Sequence, residues 1–271
     1  MQKKLSVIAV VRNDNYGLYY NERLISFFKS LEEFEADIEL VLTEWNPPLN
    51  RKSFYEEYKN ILPKNKKLKI VTVSSDIHSK FENSNLFPVF EYIAKNTAAR
   101  HASGDYLLFT NPDNIYKNKL WTEILENLDE YHFLRATRHD VLYRPIDYIN
   151  STVDNIVSAL PIKCINSYDY SHFLFANASG DFLCVSKRNF YKICGYDEWL
   201  TYSHIDTLGL WKLHNAGIKQ KILNGGIYHI DHSRPHMDTM REHKLETQFS
   251  QGHTFNSNWG LFDETLEINE Y

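Results

Sequence analysis

The stretch Gly104-Asp105-Tyr106-Leu107-Leu108-Phe109-Thr110-Asn111-Pro112-Asp113-Asn114 indicates a buried strand that ends in a cluster of polar side chains. Residues 106–110 are apolar or β-prone, and the Asn-Pro-Asp-Asn sequence after them cannot continue a strand. In chains that alternate strands and helices, ligands bind at the carboxyl ends of the strands. Asp113 is therefore the first candidate for chemistry.

The amino-terminal half alternates strand and helix signals around this stretch. Strands are predicted at residues 5–11, 38–43 and 68–73, and helices at residues 22–34, 53–62 and 87–102. This alternation predicts an α/β fold in which a mostly parallel sheet is flanked by helices. The other predicted strands also end on acidic or amide side chains, namely Asn13-Asp14, Glu44 and Asp76. Turns favour such residues too, but parallel strands bring their carboxyl ends to one edge, where a site is expected.

The character of the chain changes near residue 130. A helix is predicted at residues 121–128 and a strand at 134–138, while residues 141–170 show no clear period and residues 227–271 indicate loops with short helices. The sequence contains no internal repeat and no low-complexity linker. We therefore expect a single domain over residues 1–271, with one half at 1–130 and a smaller, mixed half with a tail at 131–271.

Composition excludes several classes of protein. The 30 basic and 35 acidic residues give a net charge of −5, so there is no global basic field for nucleic acid. The three cysteines, Cys164, Cys184 and Cys194, lack metal-type spacing, and the apolar surroundings of Cys184 and Cys194 favour buried thiols in a reducing cytosol. No apolar run approaches the roughly 20 residues of a membrane span. We expect a cytoplasmic protein without a transmembrane segment, whose membrane contact, at the inner face, would be peripheral.

Asn111-Pro112-Asp113 has the spacing of a DxD motif whose first Asp is replaced by Asn. A nucleoside diphosphate carries closely spaced negative charge, and a divalent cation that bridges its oxygens neutralises that charge. Asp113 is the predicted ligand of such a cation, and Asn111 is predicted to hydrogen-bond a ribose or sugar hydroxyl. A Pro-Asp turn at the end of a strand is common, so the motif depends on its context.

That context carries a family resemblance. Asn96-Thr97-Ala98-Ala99-Arg100-His101-Ala102-Ser103-Gly104-Asp105 matches the N-x-x-x-R-x-A-x-G-[DE] run that precedes DxD in glycosyltransferases of the GT-A fold. The chain resembles inverting, family-two-like members, and residues 44–48 and 134–141 resemble segments of bacterial, largely uncharacterised ones. The resemblance implies that residues 1–130 bind a nucleotide sugar, with a UDP-sugar expected, together with Mn²⁺ or Mg²⁺. The donor-binding residues it implies are Asn13, Glu44, Asp76, Asn96, Arg100, Asn111 and Arg138.

The second half is similar to the acceptor-side segment of galactosyltransferase-like enzymes. Residues 180–190, then Gly195-Tyr196-Asp197-Glu198, then Asp206 follow the order of that segment. In those enzymes an E-D pair opens a helix and its Asp is the general base, a role that falls to Asp206, with Ile205 where the Glu is expected. The alternative is that Asp206 only caps a helix over residues 207–215. Asp181 is a predicted acceptor ligand, and Trp259 either stacks on the acceptor or anchors the tail.

Tyr228-His229-Ile230-Asp231-His232-Ser233 supplies two imidazoles beside a carboxylate, a ligand combination suited to manganese-like ions. Related transferases use a late histidine as a metal ligand, which implies this role for His229 or His232. Four arginines are candidates for the departing diphosphate, because guanidinium groups bind phosphate bidentately. They are Arg100, Arg135, Arg138 and Arg144.

These features favour a metal-dependent glycosyltransferase that moves a sugar from a nucleotide-sugar donor to a glycan acceptor with inversion, in cell-surface polysaccharide or lipopolysaccharide synthesis. One alternative is a nucleotidyltransferase, although residues 11–17 are poor in the glycine that its phosphate loop needs. Another is a metal-dependent hydrolase built on His229, Asp231 and His232. A third is an inactive glycan- or nucleotide-binding protein of the same fold, which the replacements Asn111 and Ile205 favour.

Overall fold

The computed structural model describes residues 4–198, 204–234 and 257–271. In chain order its strands are β1 Leu5–Val11, β2 Ile38–Trp45, β3 Lys67–Val73, β4 Tyr106–Phe109, β5 Asn114–Ile115, β6 His132–Val141, β7 Ile162–Asn166, β8 Leu183–Ser186, β9 Lys219–Ile230 and β10 Glu267–Glu270. Its helices are α1 Tyr20–Glu32, α2 Phe54–Tyr58, α3 Ser75–His78, α4 Glu91–His101, α5 Asn118–Glu126, α6 Val153–Ala159, α7 Lys187–Lys192 and α8 Ile205–Asn215.

The strands in these described ranges form one sheet in the order β10-β3-β2-β1-β4-β8-β6-β9-β5, with β7 paired to β6. Strands β3, β2, β1 and β4 run parallel, as predicted for the amino-terminal half. Strand β8 lies antiparallel between β4 and β6, and β9 is parallel to β6. Because two reversals restore the direction, β6 and β9 point the same way as β1 and β4. The predicted α/β fold with a mixed second half is confirmed.

The core lies on both faces of the sheet. Successive side chains of a strand point to opposite faces, and β1 shows this directly: Val7 and Ala9 pack with the apolar side of α1, whereas Ile8 packs with α4. All three side chains are fully buried. A strand covered on both faces reads as a continuous apolar run, which is why β1 is recognisable from its sequence.

The structure differs from the prediction mainly in the second half. Residues 227–271 were expected to form loops with short helices, but β9 reaches Ile230, and β10 pairs antiparallel with β3. Strand β9 was not predicted because its polar residues and paired glycines have low strand propensity. It forms because its backbone pairs with the long strand β6. The aperiodic stretch 141–170 contains α6, capped by Thr152, and β7; both are too short to show a period.

In the first half the differences are at helix ends. The helix predicted over residues 87–102 begins at Glu91, and Pro88 disfavours helical backbone at Phe87, the first residue of the predicted helix. The helix predicted over residues 53–62 is shorter, ending at Tyr58. Within the described ranges, no helix combines the length and the apolar character required to cross a bilayer.

A buried ion pair fastens the turn at residues 195–198 to α8. Lys212 Nζ donates to Asp197 Oδ1 at 3.1 Å and to the Gly195 carbonyl at 2.9 Å, and both charged side chains are fully buried. A buried carboxylate that loses its cation keeps the cost of its desolvation, so this pair matters for stability more than an exposed one.

Lys212→Met should lower the free energy of unfolding by about 3–5 kcal/mol, because it removes the cation that is paired with the buried Asp197 carboxylate. Urea unfolding followed by tryptophan fluorescence measures this. Lys67→Met, which removes an exposed cation 3.8 Å from Asp37, is the control and should leave the midpoint almost unchanged. Equal midpoints for the two variants would contradict the stabilising role of the Lys212–Asp197 pair.

Candidate active site

A cavity of about 500 Å³ opens at the edge of the sheet where β1, β4, β6 and β9 end. The antiparallel β8 brings its amino end to the same edge, and the first turns of α4 and α8 face it. Seven of the residues singled out from the sequence line this cavity: Asn111, Asp113, Arg138, Asp181, Asp206, His229 and His232. The sheet topology therefore gathers side chains that are more than 100 positions apart in the chain.

Asp113, His229 and His232 form a compact group of possible metal ligands, with one ligand atom from each lying within 4.8 Å of the others. Asp113 Oδ2 lies 2.9 Å from His232 Nε2 and 3.7 Å from His229 Nε2. The other carboxylate oxygen, Asp113 Oδ1, is buried and has no hydrogen-bond partner in the described part of the chain. A carboxylate and two imidazoles fit a borderline divalent cation such as Mn²⁺.

Asp140 orients one of these imidazoles. His229 Nδ1 donates to Asp140 Oδ1 at 2.8 Å, which leaves Nε2 facing Asp113. A carboxylate behind a histidine in this way fixes the tautomer of a metal ligand. Asp140 has no distinguishing pattern in the sequence, because it is an acidic residue within an arginine-bearing strand.

The charges of this group reinforce one another. Burial alone would raise the pKa of Asp113, but the neighbouring imidazoles and the Arg23 guanidinium outweigh burial and hold that pKa well below its usual range. Burial opposes a charged imidazole at His229, yet the carboxylates of Asp113 and Asp140 raise its pKa. The His229 Nε2 proton is the one that a divalent cation would displace.

Arg23 connects the Asp113 carboxylate to a loop with unusual backbone. Its Nη1 lies 3.4 Å from Asp113 Oδ2, and the same guanidinium donates to the carbonyls of Tyr16 and Leu18. Asn15, Gly17, Leu18 and Tyr19 all have left-handed backbone, with φ between 52° and 75°. Arg23 was missed in the sequence because it sits within the helical apolar pattern of α1.

The same loop touches the metal-ligand group at Gly17. A Cβ at this position would collide with the His232 ring, and Ser233 N donates to the Gly17 carbonyl at 3.3 Å. Only glycine therefore permits the close approach of the loop to His232.

Asn111 is held at both ends of its amide. Lys95 Nζ donates to Asn111 Oδ1 at 2.9 Å, and Asn111 Nδ2 donates to Asp181 Oδ1 at 3.0 Å. An aspartate at this position would set a second carboxylate against Asp181, whereas the amide donates to it. Arg138 binds the other oxygen of Asp181, so Asp181 is held by a cation and an amide. Asn111 in place of the first Asp of the DxD motif is thus explained by the hydrogen bond that its amide donates to Asp181.

Asp206 is the second residue of α8 and points into the cavity. Its Oδ2 accepts a hydrogen bond from Ser179 Oγ at 2.6 Å. The N-cap residue is His204, so Asp206 lies in the first turn, where the helix dipole favours a negative charge. Ile205, at the position where the related enzymes carry Glu, is fully buried in the core, and a glutamate there would bury a charge.

Three predicted donor ligands from the first half, Asn13, Glu44 and Asp76, do not line the cavity. Asn13 Nδ2 donates to the Lys52 carbonyl at 3.1 Å, and Glu44 Oε1 accepts from Phe54 N at 2.7 Å. Asp76 is exposed in the first turn of α3. Asn13 and Glu44 bind backbone groups at the start of α2, a use that sequence alone does not distinguish from ligand binding.

The Asn96 and Arg100 positions of the matched motif also do not line the cavity, and each has a structural partner. Asn96 is fully buried and exchanges hydrogen bonds of 2.9 Å with the backbone of Tyr196. Arg100 lies 4.2 Å over the Trp259 ring and donates to the Trp259 carbonyl. Trp259 is itself buried, as expected for anchoring of the tail.

Glu91 and Lys95, both at the cavity side of α4, were not singled out from the sequence. They form an i,i+4 ion pair of 2.6 Å, which in a sequence resembles an ordinary pair on a solvated helix. Tyr16, Tyr20 and Tyr92 also line the cavity. The only feature of the sequence that pointed to these tyrosines is the abundance of tyrosine in the chain. Core packing accounts for most tyrosines as well as ligand binding does.

No protein-family model matches the sequence, and no curated protein matches it. Among solved structures, S. aureus TarS (residues 1–349) matches at a TM-score of 0.53 and 14% identity, covering 94% of this chain and 67% of that one. Its complex with UDP-GlcNAc matches at 0.53 and 15% identity, covering 87% of this chain and 60% of that chain.

The mannosyltransferase PcManGT from Pyrobaculum calidifontis, in complex with GDP-Man and Mn²⁺, matches at a TM-score of 0.50 and 11% identity. The match covers 92% of this chain and 66% of that chain, so the present chain spans about two thirds or less of these structures. At such identities the likeness establishes architecture. The chain has a glycosyltransferase fold of the GT-A kind.

Proposed function

We propose that the chain is a metal-dependent glycosyltransferase that moves a sugar from a nucleotide-sugar donor, expected to be a UDP-sugar, to a hydroxyl of a glycan acceptor with inversion. The observation that carries the proposal is the meeting of a metal-ligand group, Asp113, His229 and His232, with the Asp206 carboxylate in the same cavity. Structures of the same fold contain UDP-GlcNAc or GDP-Man with Mn²⁺, which supports a nucleotide-sugar donor. The family resemblance suggests that this transfer belongs to the synthesis of cell-surface polysaccharide or lipopolysaccharide.

Asp113, His229 and His232 would hold the cation. Their mixed nitrogen and oxygen donors suit Mn²⁺ better than Mg²⁺, which prefers oxygen ligands. A bound cation would neutralise the charge that develops on the leaving diphosphate. Arg12, Arg23 and Arg138 add positive charge to the cavity wall and would attract the same diphosphate.

Asp206 would act as the general base. Its carboxylate takes the proton from the acceptor hydroxyl while that oxygen forms a bond to the anomeric carbon and the bond from that carbon to the diphosphate oxygen breaks. One carboxylate is sufficient for this single displacement, and displacement from the opposite face inverts the anomeric centre. The bond from Ser179 holds the carboxylate in a fixed orientation.

Asp206→Asn should lower the rate of transfer by roughly 10²–10⁴-fold, the usual contribution of a positioned base, since an amide cannot take the proton. Donor affinity should stay within about twofold, because the change removes an interaction of the transition state. Release of nucleotide in the presence of acceptor, together with calorimetric titration of the donor, measures both quantities. Asp154→Asn, at an exposed carboxylate on α6, is the matched control. Unchanged turnover in Asp206→Asn would remove Asp206 from the mechanism.

Nucleotides and nucleotide sugars should raise the melting temperature of the protein only when Mn²⁺ or Mg²⁺ is present. At a ligand concentration of 100 times Kd the added stability is about 2.7 kcal/mol, which a thermal-shift screen detects. His232→Ala should remove the metal-dependent part of the shift, whereas His172→Ala, at an imidazole that is 73% exposed, should retain it. Indifference to all nucleotides would contradict the proposed function, and equal shifts without metal would contradict its metal dependence.

A further inference from the structure

The orientation of Asp206 depends on the short segment of residues 175–181. Ser179 belongs to this segment, and its hydroxyl donates to Asp206 Oδ2 at 2.6 Å. The Ala176 carbonyl, 2.8 Å from the same hydroxyl, is the alternative acceptor of its single proton, so the position of the segment decides which of the two the hydroxyl reaches. A shift of the segment would therefore move the hydrogen bond that orients the carboxylate.

The segment has a backbone conformation that needs support. Ala178 has a φ of 56°, a left-handed value that residues with a Cβ rarely adopt. Asp181 N donates to the Ala178 carbonyl at 3.1 Å and closes a tight turn around it. Such conformations persist where the surrounding structure holds them in place.

Arg135, on β6, supports this conformation through hydrogen bonds to carbonyls of the segment. Its Nε donates to the Phe175 carbonyl at 3.1 Å and its Nη2 to the Asn177 carbonyl at 2.6 Å. Its guanidinium also lies 5.0 Å from the centre of the Phe175 ring. The planar guanidinium thus presents two N–H donors in fixed directions to two carbonyls of the segment, whereas a lysine would present one ammonium on a flexible stem.

Stability alone does not explain an arginine at this position. The side chain is fully buried, its Nη1 has no hydrogen-bond partner among the described residues, and none of their carboxylates lies within ion-pair distance. Burial lowers the pKa of Arg135 to about 10, so the group is still charged at neutral pH. A buried cation without a carboxylate contact destabilises a fold, and an apolar side chain of the same size would be better tolerated.

A second buried cation holds the far end of the segment. Lys95 Nζ donates to the Gly180 carbonyl at 2.7 Å, and its side chain is fully buried. Unlike Arg135, it has a carboxylate partner, Glu91. Carbonyls near both ends of the segment are therefore bound by buried cations, and of these two cations only Arg135 lacks a carboxylate partner among the described residues.

We propose that Arg135 is a positioning residue: it holds the carbonyls of Phe175 and Asn177 and so fixes the segment 175–181 in the conformation from which Ser179 orients Asp206. This inference rests on the proposed function, because it takes Asp206 as the base. Arg135 does not line the cavity, so it acts through the segment rather than on the diphosphate for which the sequence had suggested it.

The kinetic test compares Arg135→Met, Arg135→Lys and Ser179→Ala with Arg188→Met, which removes an exposed arginine. Arg135→Met should lower kcat for transfer roughly 100-fold, the effect of misplacing a catalytic group by about 1 Å, while the donor KM stays nearly constant. Arg135→Lys should lie between it and wild type. Since loss of Arg135 already releases Ser179, the double variant Arg135→Met/Ser179→Ala should be no slower than Arg135→Met. Unchanged kcat in Arg135→Met, or multiplied effects in the double variant, would overturn the proposal.

Hydrogen–deuterium exchange tests the same claim without activity. In Arg135→Met and Arg135→Lys, peptides covering residues 175–181 should exchange faster than in wild type, while those from β1 and β2 keep their protection. Unchanged exchange in the segment would overturn the positioning role. If wild type transfers from no donor, the proposed function fails, and the exchange data still decide whether Arg135 holds the segment.

Discussion

The antiparallel run of β8 between β4 and β6 is the constraint on which the cavity depends. It restores the direction of the chain, so that β6 and β9 end at the same edge as β4. Without that second reversal, Asp140 and His229 would lie at the far edge of the sheet from Asp113. The strand also delivers Asp181 at its own amino end, so a single four-residue element places side chains from three regions of the sequence together.

Each buried carboxylate at this edge of the sheet is stabilised by neighbouring cationic or amide donors. Asp113 lies between imidazoles and a guanidinium, and Asp181 lies between a guanidinium and an amide. Each carboxylate thereby exchanges water for hydrogen bonds from cations or amides, the condition under which a buried charge is tolerated. The arrangement leaves Asp113 Oδ1 without a hydrogen-bond partner among the described residues.

The sequence predicts the parallel half of the sheet and the main polar residues of the cavity because both have local signatures. Asp113 follows a buried strand, and His229 and His232 are close in the chain. Arg23 and Asp140 carry no such signature, since their roles arise from contacts 90 and 89 positions away. Asn96 and Arg100 have a clear local signature, since they match the sequence motif, but that signature does not reveal their contacts. Their polar groups bind backbone carbonyls of the protein itself.

The left-handed loop at residues 15–19 has a thermodynamic consequence. Leu18 and Tyr19 each hold backbone that costs about 1–2 kcal/mol, and Arg23, which bonds the loop carbonyls, also contacts Asp113. A cation at Asp113 would compete with Arg23 for the carboxylate, so the conformation of the loop and the occupancy of that carboxylate would be coupled equilibria. Such coupling is reciprocal: whatever free energy the loop gains or loses on binding must reappear, with the same magnitude, in the affinity of the site.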